Sequence, residues 1–314
     1  MRSIASRREI SVLLALLGIF AILAWRAPHF FSGGNLKDIL VTAAPVLICS
    51  VGMTLVVLSR QIDISIGSQF SLDCIVAALL AQAGVPMPLV VVMTLLFGAG
   101  LGAVNGVLVG WWQLPSIVTT LATMVLWRES LRWWREGAFV RDLPISYQWF
   151  GLSQGAGQAV IIGTAIGVLW VAAWGLRNLA AGRYVFAVGA APESARLMGI
   201  RPSRVIFATF VAMGMLTALA AVLNGIRFAH ADPNFGSGLE LKVIAAVVVG
   251  GTLVTGGRGS LLGTALGVLL LGVIGPALVF LDVAPQWEKA LQGLIILAAV
   301  AGDAIWSASR RRGN

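Results

Sequence analysis

Residues 88–110 read PLVVVMTLLFGAGLGAVNGVLVG, a run without one charged side chain. About 20 such residues, wound as a helix, cross the hydrocarbon of a bilayer. Working outward, comparable runs bounded by charge, Pro or Gly clusters occupy about 10–25, 39–58, 66–83, 115–132, 159–176, 205–226, 241–254, 260–281 and 288–306. The expectation is an all-α integral membrane protein of about ten transmembrane helices, a single membrane domain over 1–314. Runs three, five and eight are short or broken by polar residues.

Composition agrees. The chain of 314 residues is 58% hydrophobic and 11% charged, with mean hydropathy +0.91. Soluble domains lie near 45–50% apolar and about 25% charged, so this chain could not clothe a soluble surface. Its 37 glycines suit helices that pack closely in lipid. The net charge of +9 does not point to nucleic acid, because the basic residues fall in gaps between apolar runs and form no basic face. Counted by loop, they are in excess on the side that holds the N-terminus if that end is cytoplasmic, which returns the C-terminus to the cytoplasm too. The cluster Arg128, Arg132, Arg135 and Arg141 runs against that bias. Glu129, Glu136 and Asp142 partly neutralise it, and Trp127, Trp133 and Trp134 read as interfacial anchors. Arg7-Arg8 before the first run has the look of a twin-arginine leader, but Trp25-Arg26 stands where a cleavage site would be, so the first run reads as an uncleaved helix.

Cys49 and Cys74 lie inside apolar runs and read as packing residues. His29 and His230 fall in external loops without carboxylate or cysteine at metal-ligand spacing, so no metal site is expected, and no nucleophile can be matched with a base. Glycine-rich 250–267 lacks the lysine and strand–helix setting of a P-loop and reads as a tight turn between close helices.

Three segments carry more. In Arg60-Gln61-Ile62-Asp63-Ile64-Ser65-Ile66-Gly67-Ser68, apolar and polar residues alternate from Ile62 to Ile66, which marks a non-helical break with Asp63 or Ser65 capping the next helix. Two readings fit: a cap at the inner interface, or a polar element bordering a path or its gate. Asp73 is an acid inside a run, serving either a hydrogen bond within the bundle or a solute contact. Asp63, Ser65, Ser68, Asp73 and Asn105 are the candidates for a path or gate. Thr119, Thr120, Thr123 and Asn224 read as polar glue between helices.

The third segment lies in the long loop 177–204, read as cytoplasmic. Over 182–200, Pro192 suits a first helical turn, Glu193 sits well near its N-terminal end, and Gly199 supplies a stop. A short helix with no core to pack on invites a partner surface. The external loop, about 133–158 with Pro144, Tyr147 and Trp149, is expected to cap the outer mouth.

These motifs together resemble the permeases of bacterial monosaccharide ABC importers: the ribose, xylose, arabinose, galactose, rhamnose and autoinducer-2 systems. Gly52-Met53-Thr54 with 62–68 resembles their signature. Ala191-Pro192-Glu193-Ser194-Ala195-Arg196-Leu197-Met198-Gly199-Ile200 is similar to their Asn-Pro-Glu-Ala-Ala-Arg-Leu-Ser-Gly-Ile loop, and 245–267 to their Gly-Gly-Thr pattern. The likeness covers about 45–305. It implies a homo- or heterodimer of such chains in the inner membrane, two cytoplasmic ATPase subunits holding ATP and magnesium, and a periplasmic sugar-binding protein, with no cofactor and no catalytic residue on this chain. Residues 189–200 then correspond to the helix that couples to the ATPase, through Gly189, Pro192, Glu193, Ala195, Arg196 and Gly199. Two departures stand out: Arg60-Gln61 replaces a pair of glycines, and Ala191 an Asn. The wording of 285–293 leans toward the rhamnose branch, with autoinducer-2 and ribose close behind. From the residues alone, an ion-driven transporter titrating Asp73 is the alternative, and a membrane-embedded enzyme is the more distant one.

Overall fold

The computed structural model describes residues 2–284, 286–295 and 297, with the side chains of 2–8 left aside. Among them the regular structure is helical. The helices are α1 (Arg2–Arg26), α2 (Gly33–Leu58), α3 (Ile66–Gln82), α4 (Met87–Gly110), α5 (Ser116–Arg135), α6 (Gln154–Asn178), α7 (Ala180–Ala190), α8 (Pro192–Leu197), α9 (Pro202–Gly225), α10 (Leu239–Val249) and α11 (Leu261–Phe280). A further helical stretch covers 287–295.

Among the described residues, six helices are long and apolar enough to cross a membrane: α1 from Glu9, α2, α4, α6, α9 and α11. This makes the chain a multi-pass membrane protein, but the expected ten does not follow from length and apolarity. α3 is apolar with 17 residues, and α10 has 11. α5 reaches 20 residues but carries Arg128, Glu129, Arg132 and Arg135 in its second half. The run expected over 241–254 stops at Val249, where Gly250 and Gly251 turn the chain and Gly251 takes φ +92°. The second half of the tenth run, from 298 on, lies outside the described residues.

α2 is the centre, largely buried, while α1, α4 and α6 present mostly exposed faces with Leu14, Leu96, Trp170 and Val171 pointing outward. Such faces are at home against lipid. α4 and α9 pack antiparallel through Gly98, Gly102, Gly106 and Gly110. A Cβ at these positions would strike Gly214 O, Phe210 O, Phe207 and Ser203 O respectively. Glycine at every fourth position strips one helix face of side chains, so the two backbones approach directly. Cys49 and Cys74 are free and buried in the core, as read.

The helices define two ends. One gathers Leu58, Gly110, Ser116, Pro202 and the 250–260 turn; Arg60 lies there. The other gathers Gly33, Gln82, Arg135 and Gly225, and Tyr147 lies there. At the Tyr147 end the loop 136–153 is seated on the bundle. Val140 and Ala231 exchange backbone hydrogen bonds of 3.0 Å, Trp149 N donates to Ile226 O at 2.8 Å, and Tyr147 is fully buried against Gly225. Burial raises the Tyr147 phenol above its ordinary proton affinity. Of the three tryptophans read as anchors, Trp133 and Trp134 are exposed, but Trp127 is buried in the bundle.

Candidate functional site

Two chain breaks shape the interior. After α2 the chain turns at Arg60 (φ +68°) and runs back through 61–65 without helical structure before α3 begins. α5 holds this strip in place. Ile62 N donates to Ser116 Oγ at 3.3 Å and Ile64 N to Thr120 Oγ1 at 3.0 Å. Backbone that leaves the helix inside a membrane bundle needs such partners.

Asp63 and Ser65, fully buried, form the core of the site. Asp63 Oδ1 accepts from Ser65 N at 2.9 Å and from Ser65 Oγ at 2.6 Å. Ser65 Oγ in turn accepts from Asn105 Nδ2 at 2.9 Å, and Asn105 Oδ1 accepts from Thr123 Oγ1 at 2.9 Å. Donation thus runs in one direction, from α5 through α4 into the break, and ends on a carboxylate. Charge-assisted bonds of this kind are short and strong. Ser68 joins by donating to Ser65 O at 2.8 Å. Ser65 itself makes no side-chain bond to the first turn of α3; the acceptor for the local turn is Asp63.

Four of the five candidates, Asp63, Ser65, Ser68 and Asn105, therefore come together. Asp73 does not join them. It is fully buried on another face of α3 toward Gly98 of α4, and neither oxygen has a hydrogen-bond partner among the described residues. The partner from another helix expected for it is not found there.

The second break, 226–238, follows α9 and leads into α10. It meets the start of α3, just past the first break, at a backbone contact: Gly236 lies directly against Gly67 O, and Gly236 N donates to Ser71 Oγ at 3.1 Å. Glu240, in the first turn of α10, faces Gly67 at the start of α3 and pairs with Arg128 of α5 at 3.5 Å. Two short helices, α3 and α10, thus start side by side inside the bundle. Thr120 and Thr123 were read as glue between helices, whereas Ser116 was missed; the i, i+4, i+7 spacing of the three hydroxyls on α5 is the signal that could have found it. Arg128 stood out only as part of a cluster against the charge bias, and Glu240 and the Gly67–Gly236 contact carried no signal in local patterning.

At the Arg60 end, the element expected over 189–200 is two pieces. α7 ends at Ala190, Ala191 takes extended angles (φ −156°, ψ 86°), and α8 starts at Pro192. Proline cannot donate to a continuing helix and favours a new first turn. The expectation that this segment lacks a core is corrected at Gly189, which is buried against Leu58 O and Gly257 N, and at Ala195, which is fully buried. The rest of α8 is open. Glu193 and Arg196 form an exposed pair at 3.9 Å, Leu197 is 90% and Met198 70% exposed, and Gly199 ends the helix at φ +81°.

Comparison with known proteins agrees with this architecture. Residues 35–300 match the family described as "Branched-chain amino acid transport system / permease component". The chain is 34% identical over 297 residues to the ribose import permease protein RbsC of Escherichia coli (strain K12), covering 93% of this chain and 92% of that protein. It is 33% identical over 303 residues to the autoinducer 2 import system permease protein LsrC of Escherichia coli O157:H7, covering 96% and 89%. The LsrC protein of Enterobacter sp. (strain 638) is 32% identical over 303 residues, covering 96% and 88%. No solved structure matches. With its membrane-crossing helices and a match over most of its length, this chain belongs to the family of branched-chain amino acid transport system permease components.

Proposed function

We propose that the chain is the membrane permease subunit of an ATP-driven importer that carries a monosaccharide across the bacterial inner membrane. The observation that carries this reading is the end-to-end similarity to import permeases, 34% identity over 93% of the chain to a ribose import permease. In this reading the Arg60 end is cytoplasmic, α5 crosses as well, α3 and α10 with their breaks complete the crossings, and the run at 288–306 brings the count to about ten with both termini inside. The domain spans 1–314.

The exposed face of α8 supports a partner there. Apolar side chains as open as Leu197 and Met198, beside Glu193 and Arg196, suit a protein surface. That partner is a cytoplasmic ABC ATPase, which holds ATP and magnesium and performs the hydrolysis. Pro192, Glu193, Ala195, Arg196 and Gly199 form the docking element, and Gly189 is its hinge onto α2. A periplasmic sugar-binding protein and a second permease chain complete the assembly. Asp63, Ser65, Ser68 and Asn105 form a gate between the ends, with Asp73 behind it. ATPase closure moves the gate only by favouring one arrangement of these helices over another.

The test is uptake into proteoliposomes that contain the chain with a cognate ABC ATPase and sugar-binding protein from the same organism, with labelled pentoses and hexoses offered. ATP-dependent accumulation of one of them is expected. Accumulation driven by a proton gradient without the ATPase, or no accumulation of any sugar, overturns the reading.

A further inference from the structure

At the Tyr147 end, α2, α10 and α11 part to leave a cleft of about 340 Å³, within the range of about 300–1,000 Å³ typical of small-molecule sites. Its floor is apolar, formed by Ala43, Val46, Val268 and Leu271. Its rim is polar. Asn35, Asp38 and Thr42 come from α2, Lys242 from α10, and Glu288 from the helical stretch after α11.

The rim is tied together. Lys242 Nζ donates to Glu288 Oε1 at 3.0 Å, Gln292 Nε2 donates to the same oxygen at 2.9 Å, and Arg227 donates to Thr42 Oγ1 at 3.0 Å with Asp38 facing it electrostatically. Lys242 stands one turn into α10, the helix that starts inside the bundle, yet its side chain is 44% exposed. A lysine at that depth does not face hydrocarbon; it faces water or protein. The cleft is therefore built for water or protein rather than lipid, and its charges balance: Asp38 and Glu288 against Arg227 and Lys242.

An apolar floor under a charge-balanced rim of donors and acceptors matches one chemistry well. A sugar ring presents a flat C–H face on one side and hydroxyls along its edge, and carries no charge. We propose that this cleft binds one uncharged monosaccharide during transport, ring face on the Ala43–Leu271 floor and hydroxyls on Asp38, Thr42 and Lys242. The inference rests on the importer reading above and adds a solute site within a single chain to it.

Gly272 borders the cleft, and a Cβ there meets only Ala43 at an ordinary 3.7 Å, so Gly272→Leu fills the space without a backbone clash. The full transporter in proteoliposomes is assayed with the sugar that the unaltered chain accumulates. Asp38→Asn is expected to raise the half-saturating sugar concentration on the order of tenfold, the loss of a charged hydrogen bond, with stimulation of the ATPase by the binding protein retained. Gly272→Leu is expected to reduce uptake similarly with hydrolysis retained. As a measure independent of those variants, Thr42→Cys should be modified by a membrane-impermeant maleimide more slowly when that sugar is present. Unchanged uptake kinetics in both variants, or labelling of Thr42→Cys that the sugar does not slow, overturns the cleft. Failure of the unaltered chain to accumulate any sugar overturns the importer reading instead.

Discussion

Gly189, near the end of α7, abuts the carbonyl oxygen of Leu58, the last residue of α2, and the same oxygen accepts a hydrogen bond of 3.0 Å from Gly257 N. Three segments distant in sequence thus share one peptide group, immediately before the break at 59–65. Any side chain at 189 has to displace that carbonyl. Gly189→Val is expected to cost about 1–3 kcal/mol, as overpacking does, and to lower sugar uptake more than ATP hydrolysis. Thermal denaturation and paired uptake and hydrolysis assays check both.

Glu193 is solvent-exposed, and its pair with Arg196 adds little to stability. Glu193→Lys should leave the melting temperature unchanged while reducing hydrolysis stimulated by the binding protein by about tenfold, through a charge mismatch at a docking surface. Undiminished stimulation would remove α8 from the docking surface.

Asn105 is the middle of the polar chain from Thr123 to Asp63. Asn105→Leu leaves the Thr123 hydroxyl without this acceptor and Ser65 without its donor, at a cost of about 1–3 kcal/mol. Uptake should fall together with stability. A stable, fully active Asn105→Leu chain would show that the network is dispensable.

Gly100 and Gly102 sit on opposite faces of α4. A Cβ at 102 meets Phe210 O at once, whereas nothing lies within 4 Å at 100. Gly102→Leu should separate α4 from α9 and yield protein that aggregates on size exclusion. Gly100→Leu should shift stability by no more than about 0.5 kcal/mol.

Arg60 holds φ +68°, a backbone conformation that costs a residue with a Cβ about 1 kcal/mol or more and glycine almost nothing. The pair of glycines implied by resemblance at 60–61 thus has a conformational basis at its first position. Arg60→Gly is expected to raise the unfolding temperature slightly, by up to about 1 kcal/mol in stability. A lowered temperature would mean that the guanidinium makes up the difference by contacts of its own.

The long helices were legible because a run such as 88–110 allows no other state in a bilayer; the ends of α4, α9 and α11 fall within three residues of the expected ones, whereas α1, α2 and α6 begin five to eight residues earlier. α10 was overextended because Val247-Val248-Val249-Gly250 continues the apolar pattern past the point where Gly250-Gly251 turns the chain. The break at Asp63 was readable from its period-two alternation. Its fastening was not, since Asn105 reaches Ser65 from 40 residues away and Thr123 in turn holds Asn105, and no local pattern encodes that approach. Burial of Gly189 escaped for the same reason: a glycine's value there lies in what is missing from it, and the neighbours that need the space are Leu58 and Gly257.

The contact between Gly67 and Gly236 sets how much must move when such a bundle opens. Parting α4 from α9 would mean unmeshing glycine contacts strung along Gly98–Gly102–Gly106–Gly110, which lie at successive turns and hold together. Between the two breaks, by contrast, the seal is one meeting of two backbones without side chains, flanked by the Ser71 hydroxyl and the Glu240 carboxylate. It is a seam of small area with polar edges, and the polar edges can exchange their partners for water as it opens. A seam of backbone and polar side chains therefore runs through the middle of the bundle, where α3 and α10 begin.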